Sequence, residues 1–178
     1  ALTDVNCLSG FINFVKHCNS MDVNPIAGAN LIAKNEDIVV LVENQIGYEN
    51  LCRIISKSYD TKDQKISDII VSNFSGLFIL TEKYSILKQL KSVVSNTHLF
   101  VELRPGGSES EARKVAKKLK LEVVATGNVY FHNMNDYESY LILQAINKNT
   151  KIDNVKKEND GSALNWFRNE ESMVRLFP

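Results

Sequence analysis

Apolar residues recur at three-to-four-residue spacing in six stretches, and each stretch predicts a helix. The first carries Leu8, Phe11, Ile12, Val15 and Cys18, the second Tyr48, Leu51, Ile54 and Ile55. The third carries Ile86, Leu87, Leu90, Val93 and Val94. In the fourth, Ser108 and Glu111 have the spacing of a capping box, and Ala112, Val115, Ala116 and Leu119 form the stripe. A fifth opens at Asn135 with Glu138 three residues on and uses Tyr137, Leu141, Ala145 and Ile146. A short sixth runs from Glu170 to Phe177 with Asn169 as its cap. Between these lie short, nearly continuous apolar runs: Leu31 to Ala33, Ile38 to Val42, Leu77 to Leu80, Leu99 to Leu103 and Val123 to Thr126. Such runs suit strands buried on both faces, as in a parallel sheet flanked by helices. Strand and helix alternate for most of the length, so the fold class is α/β.

Two segments break the rhythm. Asp60 to Ser75 is polar apart from Ile66, Ile69 and Ile70 and reads as a surface connection or insertion. Lys148 to Ser162 is rich in Lys, Asn and Asp and reads as a solvated loop. The opening Ala1-Leu2-Thr3-Asp4 reads as the end of a strand, and Asp4 and Asn6 lead straight into the first helical pattern. Further residues are therefore expected upstream, and the chain reads as a fragment holding one domain over residues 1–178.

Composition narrows the function classes. A chain of 178 residues with 44% hydrophobic and 24% charged residues has the balance of a globular domain able to bury a core. Its 21 basic and 21 acidic residues cancel, whereas a module that grips nucleic acid by its phosphates shows a basic excess. Contact with DNA is thus expected to be indirect or confined to a local patch. Cys7, Cys18 and Cys52 show no C-x-x-C spacing, and Cys18 and Cys52 fall on helical stripes, so they read as reduced thiols in a cytoplasmic protein. No apolar run approaches a membrane span, and no signal peptide is visible.

Four runs, in order, resemble one family. Ala1-Leu2-Thr3-Asp4 with Leu8-Ser9-Gly10 resembles the A-L-T-D-H-x-x-x-x-G stretch of PHP domains in bacterial DNA polymerase III alpha subunits. Asn24-Pro25-Ile26-Ala27-Gly28-Ala29-Asn30 is similar to their K-P-I-x-G-x-E strand. Leu41-Val42-Glu43-Asn44 followed by Gly47-Tyr48-Glu49-Asn50-Leu51 resembles L-A-K-N-x-x-G-Y-x-N-L, and Val123 to Tyr130 resembles V-V-A-T-N-D-V-H. The resemblance implies a distorted TIM-like (β/α) barrel lacking its first strand here, with a metal cluster at the carboxyl ends of its strands in active members. It also implies downstream polymerase domains in the same chain, a DNA-directed DNA polymerase (nucleotidyltransferase) as the parent, and DNA and other replication subunits as further partners. A few details lean toward the error-prone, translesion type of alpha subunit.

Matching the motifs residue by residue implies that the metal site has decayed. The His of A-L-T-D-H falls on Val5, the Glu of G-x-E on Asn30, and a further His on about Asp37. The Asp and His of N-D-V-H fall on Asn128 and Tyr130. With Asp4 these are the former metal-pocket positions. Val5 offers no lone pair, Tyr130 is a poor ligand unless ionised, and the two asparagines keep the shape of a carboxylate without its charge. No metal and no catalytic residue is expected, so the domain reads as a scaffold for the polymerase. His132, two residues past Tyr130, is the one residue that could rebuild a single-metal site with Asp4 or Asp37. An active phosphoesterase or 3′–5′ proofreading nuclease, and an unrelated α/β ligand-binding domain, stay open as other readings.

Elsewhere the bland reading is preferred. His17 in the last turn of the first helix suits the helix dipole, and His98 sits at the entry of its strand. Arg104-Pro105-Gly106-Gly107-Ser108 is a Gly-rich turn into a helix but lacks the Lys-Ser/Thr of a P-loop. Lys114, Lys117, Lys118 and Lys120 read as a solvated helix face, with an electrostatic contact to DNA or a partner as the other reading. Trp166 and Phe167 are expected either to cover the core or to anchor a following domain.

Overall fold

The computed structural model describes residues 1–60, 64–158 and 162–177. Among them, six strands form one sheet in sequence order: β1 (Leu2–Val5), β2 (Ala27–Ala33), β3 (Glu36–Val42), β4 (Leu77–Thr81), β5 (Leu99–Leu103) and β6 (Glu122–Ala125). Eight α-helices accompany them: α1 (Phe11–Ser20), α2 (Gln45–Asp60), α3 (Ile66–Val71), α4 (Tyr84–Leu90), α5 (Glu109–Leu119), α6 (Tyr137–Asn147), α7 (Ile152–Glu158) and α8 (Glu170–Leu176). The α/β class therefore stands. The chain divides into two compact units, one of Ala1–Glu102 with Ala112–Val124, the other of Leu103–Glu111 with Ala125–Pro178.

The sheet is mixed, which corrects the parallel arrangement expected from the apolar runs. β1 runs parallel to β2 and β4 parallel to β5, but β3 is antiparallel to both of its neighbours. The cause is a two-residue connection, Lys34–Asn35, with φ of 48° and 63°. Two successive left-handed residues make the tight hairpin turn whose twist matches paired strands.

In the first unit one face of the sheet is dry. Ala29, Leu31, Ile38, Val40, Leu77, Ile79, Leu99 and Val101 alternate inward and are essentially inaccessible. α2 contacts β2, β3 and β4, and α3 contacts β2. Leu51 and Ile54 of α2, Ile66 and Ile70 of α3 and Leu87 and Leu90 of α4 are fully buried. Burying each such side chain contributes about 1.5–3 kcal/mol. On the other face, Val39, Leu41, Phe78 and Phe100 are only half-buried.

Two segments expected to be irregular contain helices. Ile66, Ile69 and Ile70 are the buried stripe of α3, not part of a surface connection; residues 61–63 of that segment lie outside the described residues. α7 lies within the stretch read as a solvated loop, because Val155 is fully buried against Leu141, Ala145 and Tyr137 in the core of the second unit. Asn133 and Asp136, not Asn135 and Glu138, form the capping box ahead of α6, around the short 3-10 turn Met134–Asp136. Asn169 does cap α8, its Oδ1 accepting the Ser172 N–H at 3.0 Å. All three cysteines are free; Cys18 is buried, and Cys7 and Cys52 are partly so. No helix among the described residues is long and apolar enough to cross a membrane.

Candidate functional site

The pairing of β1 with β2 places Val5 opposite Asn30, and β3 brings Val39 opposite Asn30 on the other side. Residues opposite one another on neighbouring strands project from the same face, so Val5 and Asn30 stand side by side. Asp37 pairs with Ile32, two positions beyond Asn30, and so shares that face. Strand alternation sends Asp4 to the opposite face, where its Oδ2 accepts the Gly10 N–H at 3.2 Å beside the start of α1. The first unit thus gathers Val5, Asn30 and Asp37 on one face and turns Asp4 toward a helix. Asn30 is 5% exposed and its Oδ1 has no hydrogen-bond partner among the described residues, while Val5 is 47% exposed.

Asn6, which the sequence marked only as a lead into the helix, closes this end of the sheet. It adopts a left-handed φ of 54°, and its side chain imitates a strand residue. Its Nδ2 donates to the Ile32 carbonyl at 2.9 Å and its Oδ1 accepts the Ile32 N–H at 2.8 Å. Tyr59 reaches over from α2 to donate its hydroxyl to the Asn6 carbonyl at 3.1 Å. The one signal in the sequence is an Asn just past a strand, where left-handed backbone is tolerated.

Asn128, Tyr130 and His132 belong to the second unit. Asn128 takes a left-handed φ of 43°. The Tyr130 N–H donates to the Asn165 carbonyl at 2.8 Å, and the Phe167 N–H donates to the Phe131 carbonyl at 3.0 Å, so this stretch pairs with the one around Trp166. Trp166 is half-buried under the Arg168 guanidinium, 4.3 Å from the ring centroid, and Phe167 is exposed. Tyr130 and Phe131 lie 5.7 and 5.5 Å from the Tyr140 ring, with Tyr137 next to it. His132 is exposed just ahead of the Asn133 cap.

Burial, and then the neighbouring Tyr130 and Tyr137, raise the Tyr140 hydroxyl above its ordinary pKa of 10.0. A phenol whose folded pKa exceeds its unfolded value supports the fold fully below pH 10 and loses that contribution as pH rises through the folded value. Tyr140→Phe is therefore expected to reduce the loss of stability above pH 10 while leaving neutral-pH stability nearly unchanged. Urea unfolding at neutral and alkaline pH measures both.

A cluster of two or three cations needs carboxylates and imidazoles converging on it, because neutral donors do not offset the mutual repulsion of the metals. Val5 has no donor atom, Asn30 presents a neutral carboxamide, and Asp4 is turned to the Gly10 N–H. Among the described residues no group of three or more His, Cys, Asp or Glu is arranged to hold a metal ion. The residues present do not fit a multinuclear site.

The run from Glu43 to Leu51 has a different job at the other end of β3. Asn44 Oδ1 accepts the Gly47 N–H at 3.1 Å, and the Glu43 N–H donates to the Gly76 carbonyl at 2.9 Å. Asn50 donates its Nδ2 to the Ser75 carbonyl at 2.9 Å. The motif ties the first turns of α2 to the Ser75–Gly76 turn that starts β4. Nearby, His98 stacks on Phe78 at 4.8 Å and holds Nε2 3.3 Å from Glu43 Oε2, a packing role at the strand entry. His17 Nδ1 lies 2.7 Å from the Asn13 carbonyl on α1. In the second unit the Gly-rich turn is closed by the Gly107 N–H donating to the Arg104 carbonyl, and Ser108 Oγ accepts the Glu111 N–H at 3.3 Å.

The PHP domain model matches residues 1–136. The chain is also similar along 99% of its length to curated DNA polymerase III alpha subunits. It is 27% identical to that of Haemophilus influenzae, 28% to that of Vibrio cholerae and 26% to that of Escherichia coli K12. The matched region covers 18% of each of these relatives, so the chain spans under a fifth of their length. With a family model matching most of its length, the chain belongs to the PHP domain family.

Proposed function

We propose that the 178 residues form one PHP domain of a DNA polymerase III alpha subunit, acting as a non-catalytic scaffold for polymerase domains elsewhere in the same chain. The parent activity is DNA-directed DNA synthesis, in replication or translesion synthesis, and the sheet is a segment of a distorted (β/α) barrel. The observation that carries the scaffold reading is the register of Val5 with Asn30. Two neighbouring positions on one face of the sheet, which the family resemblance assigns to an imidazole and a carboxylate, hold a hydrocarbon and a buried neutral amide. Losing one outer-shell partner of a metal ligand already lowers affinity about 10–100-fold, so losing the ligands themselves removes far more. The cofactor expected for this domain is none.

The test is hydrolysis of a chromogenic phosphodiester by the purified chain with added Mn²⁺ or Zn²⁺, alongside calorimetric titration of each metal. We expect no turnover above buffer and no stoichiometric binding. Turnover that disappears in the His132→Ala variant would overturn the scaffold reading in favour of a rearranged phosphoesterase or nuclease site.

A further inference from the structure

The net charge of zero conceals a strong polarity. Residues 83–101 and 112–121 contain eight of the chain's 21 lysines and arginines and none of its 21 acidic residues, which resume at Glu82, Glu102, Glu111 and Glu122 on their borders. Both segments lie in the first unit, and the fold joins them. Lys118 Nζ sits 4.6 Å above the Tyr84 ring of α4, and Lys91, just past α4, donates to the Leu119 carbonyl at the end of α5. α5 buries Ala112, Ala116 and Leu119 and turns Lys114, Lys117 and Lys118 to solvent, with Lys120 following in the exposed connection. Lys88 projects from the exposed side of α4. Lys88, Lys114, Lys117 and Lys120 have no ion-pair partner among the described residues.

We propose that this α4–α5 face is a contact surface for the phosphate backbone of duplex DNA. Several unpaired ammonium groups on two clamped helices make a positive field within about one Debye length, roughly 8–10 Å at ordinary salt. Lysine acts as a point charge toward phosphates and reads no sequence. The face does not suit single strands, which need exposed aromatic rings for base stacking. Its one aromatic, Tyr84, is partly buried and lies under Lys118. The choice of DNA among polyanions rests on the polymerase-domain reading; the basic face itself does not.

The experiment is fluorescence anisotropy of a labelled 30-base-pair duplex with the purified chain, in EDTA, across about 50 to 200 mM salt. Four phosphate contacts give a slope of log affinity against log salt near −3.6, about a 150-fold loss over that range. Lys114→Gln/Lys117→Gln removes two contacts, lowering affinity at least tenfold and making the slope shallower by about 1.8. Lys16→Gln/Lys57→Gln carries the same net charge change on α1 and α2 rather than on α4 and α5, and is expected to bind like the parent. Absence of binding at the lowest salt, or equal loss in the two variants, overturns the proposal. So does equal affinity for phosphatidylserine vesicles, which would point to a membrane surface instead. Because EDTA is present, salt-dependent duplex binding would stand even if the phosphodiester assay found turnover.

Discussion

Gly47→Ala lowers the stability of the chain by about 3 kcal/mol, although helix propensity alone predicts a gain of about 1 kcal/mol. Gly47 is buried in the first turn of α2, a helical position where alanine is ordinarily the better residue. A Cβ there would stand 1.8 Å from the Gly76 carbonyl oxygen and 2.6 Å from its carbon. Both atoms are backbone, so no side chain can swing aside. Gly76 cannot yield either, because its φ is +71° and its carbonyl accepts the Glu43 N–H that leads into the pairing of Val42 with Leu77. Relief would require opening the junction of β3 and β4, and with it the Asn50 bond to Ser75. Against a typical domain stability of about 5–15 kcal/mol, this is a large fraction. Urea unfolding of the two proteins measures it. A midpoint unchanged or raised in Gly47→Ala would mean that the α2 turn does not touch the Ser75–Gly76 turn at all.

Gly47-Tyr48-Glu49-Asn50-Leu51 was legible as a family signature, but its physical role depends on a backbone turn beginning 25 residues beyond Asn50, which has no periodicity of its own. Long apolar stripes placed α1, α2, α4 and α5 well, and short apolar runs placed β3, β4 and β5. α3 and α7 were missed because each is short and flanked by polar residues, so the burial of Ile66 and Val155 is decided by tertiary packing alone. The hairpin at Lys34–Asn35 was missed because its residues are not the Asn-Gly pair that normally marks such a turn. At the candidate site, the motifs marked Val5 and Asn30 only as pocket positions, and it is the strand register that brings them side by side. Strand alternation could have warned that Asp4, one residue before Val5, faces the other way.

Glu36→Ala is expected to cost about 2–3 kcal/mol, from a residue that no motif singles out. Glu36 opens β3, an unpromising place for a carboxylate, yet it is only 7% exposed. Its Oε2 accepts the Ser67 N–H at 2.9 Å and its Oε1 accepts the Ser67 hydroxyl at 2.6 Å. α3 has no side-chain cap of its own, since Lys65 occupies the N-cap position. The buried strand residue therefore caps a helix 31 positions away and explains why Ile66 and Ile70 can be drawn under the sheet. Bonds to an ionised acceptor are worth about 1.5–3 kcal/mol, and alanine would leave a buried N–H unsatisfied. Glu36→Gln keeps the shape and one acceptor, so it should lose roughly half as much. Ser67→Ala removes the hydroxyl partner but not the N–H, so the double variant Glu36→Ala/Ser67→Ala should lose less than the two single losses together, because the residues share one network. Hydrogen exchange then locates the damage. In Glu36→Ala, protection should fall first at Ser67 and along α3, whereas a uniform loss across the sheet would show that Glu36 supports β3 rather than the helix.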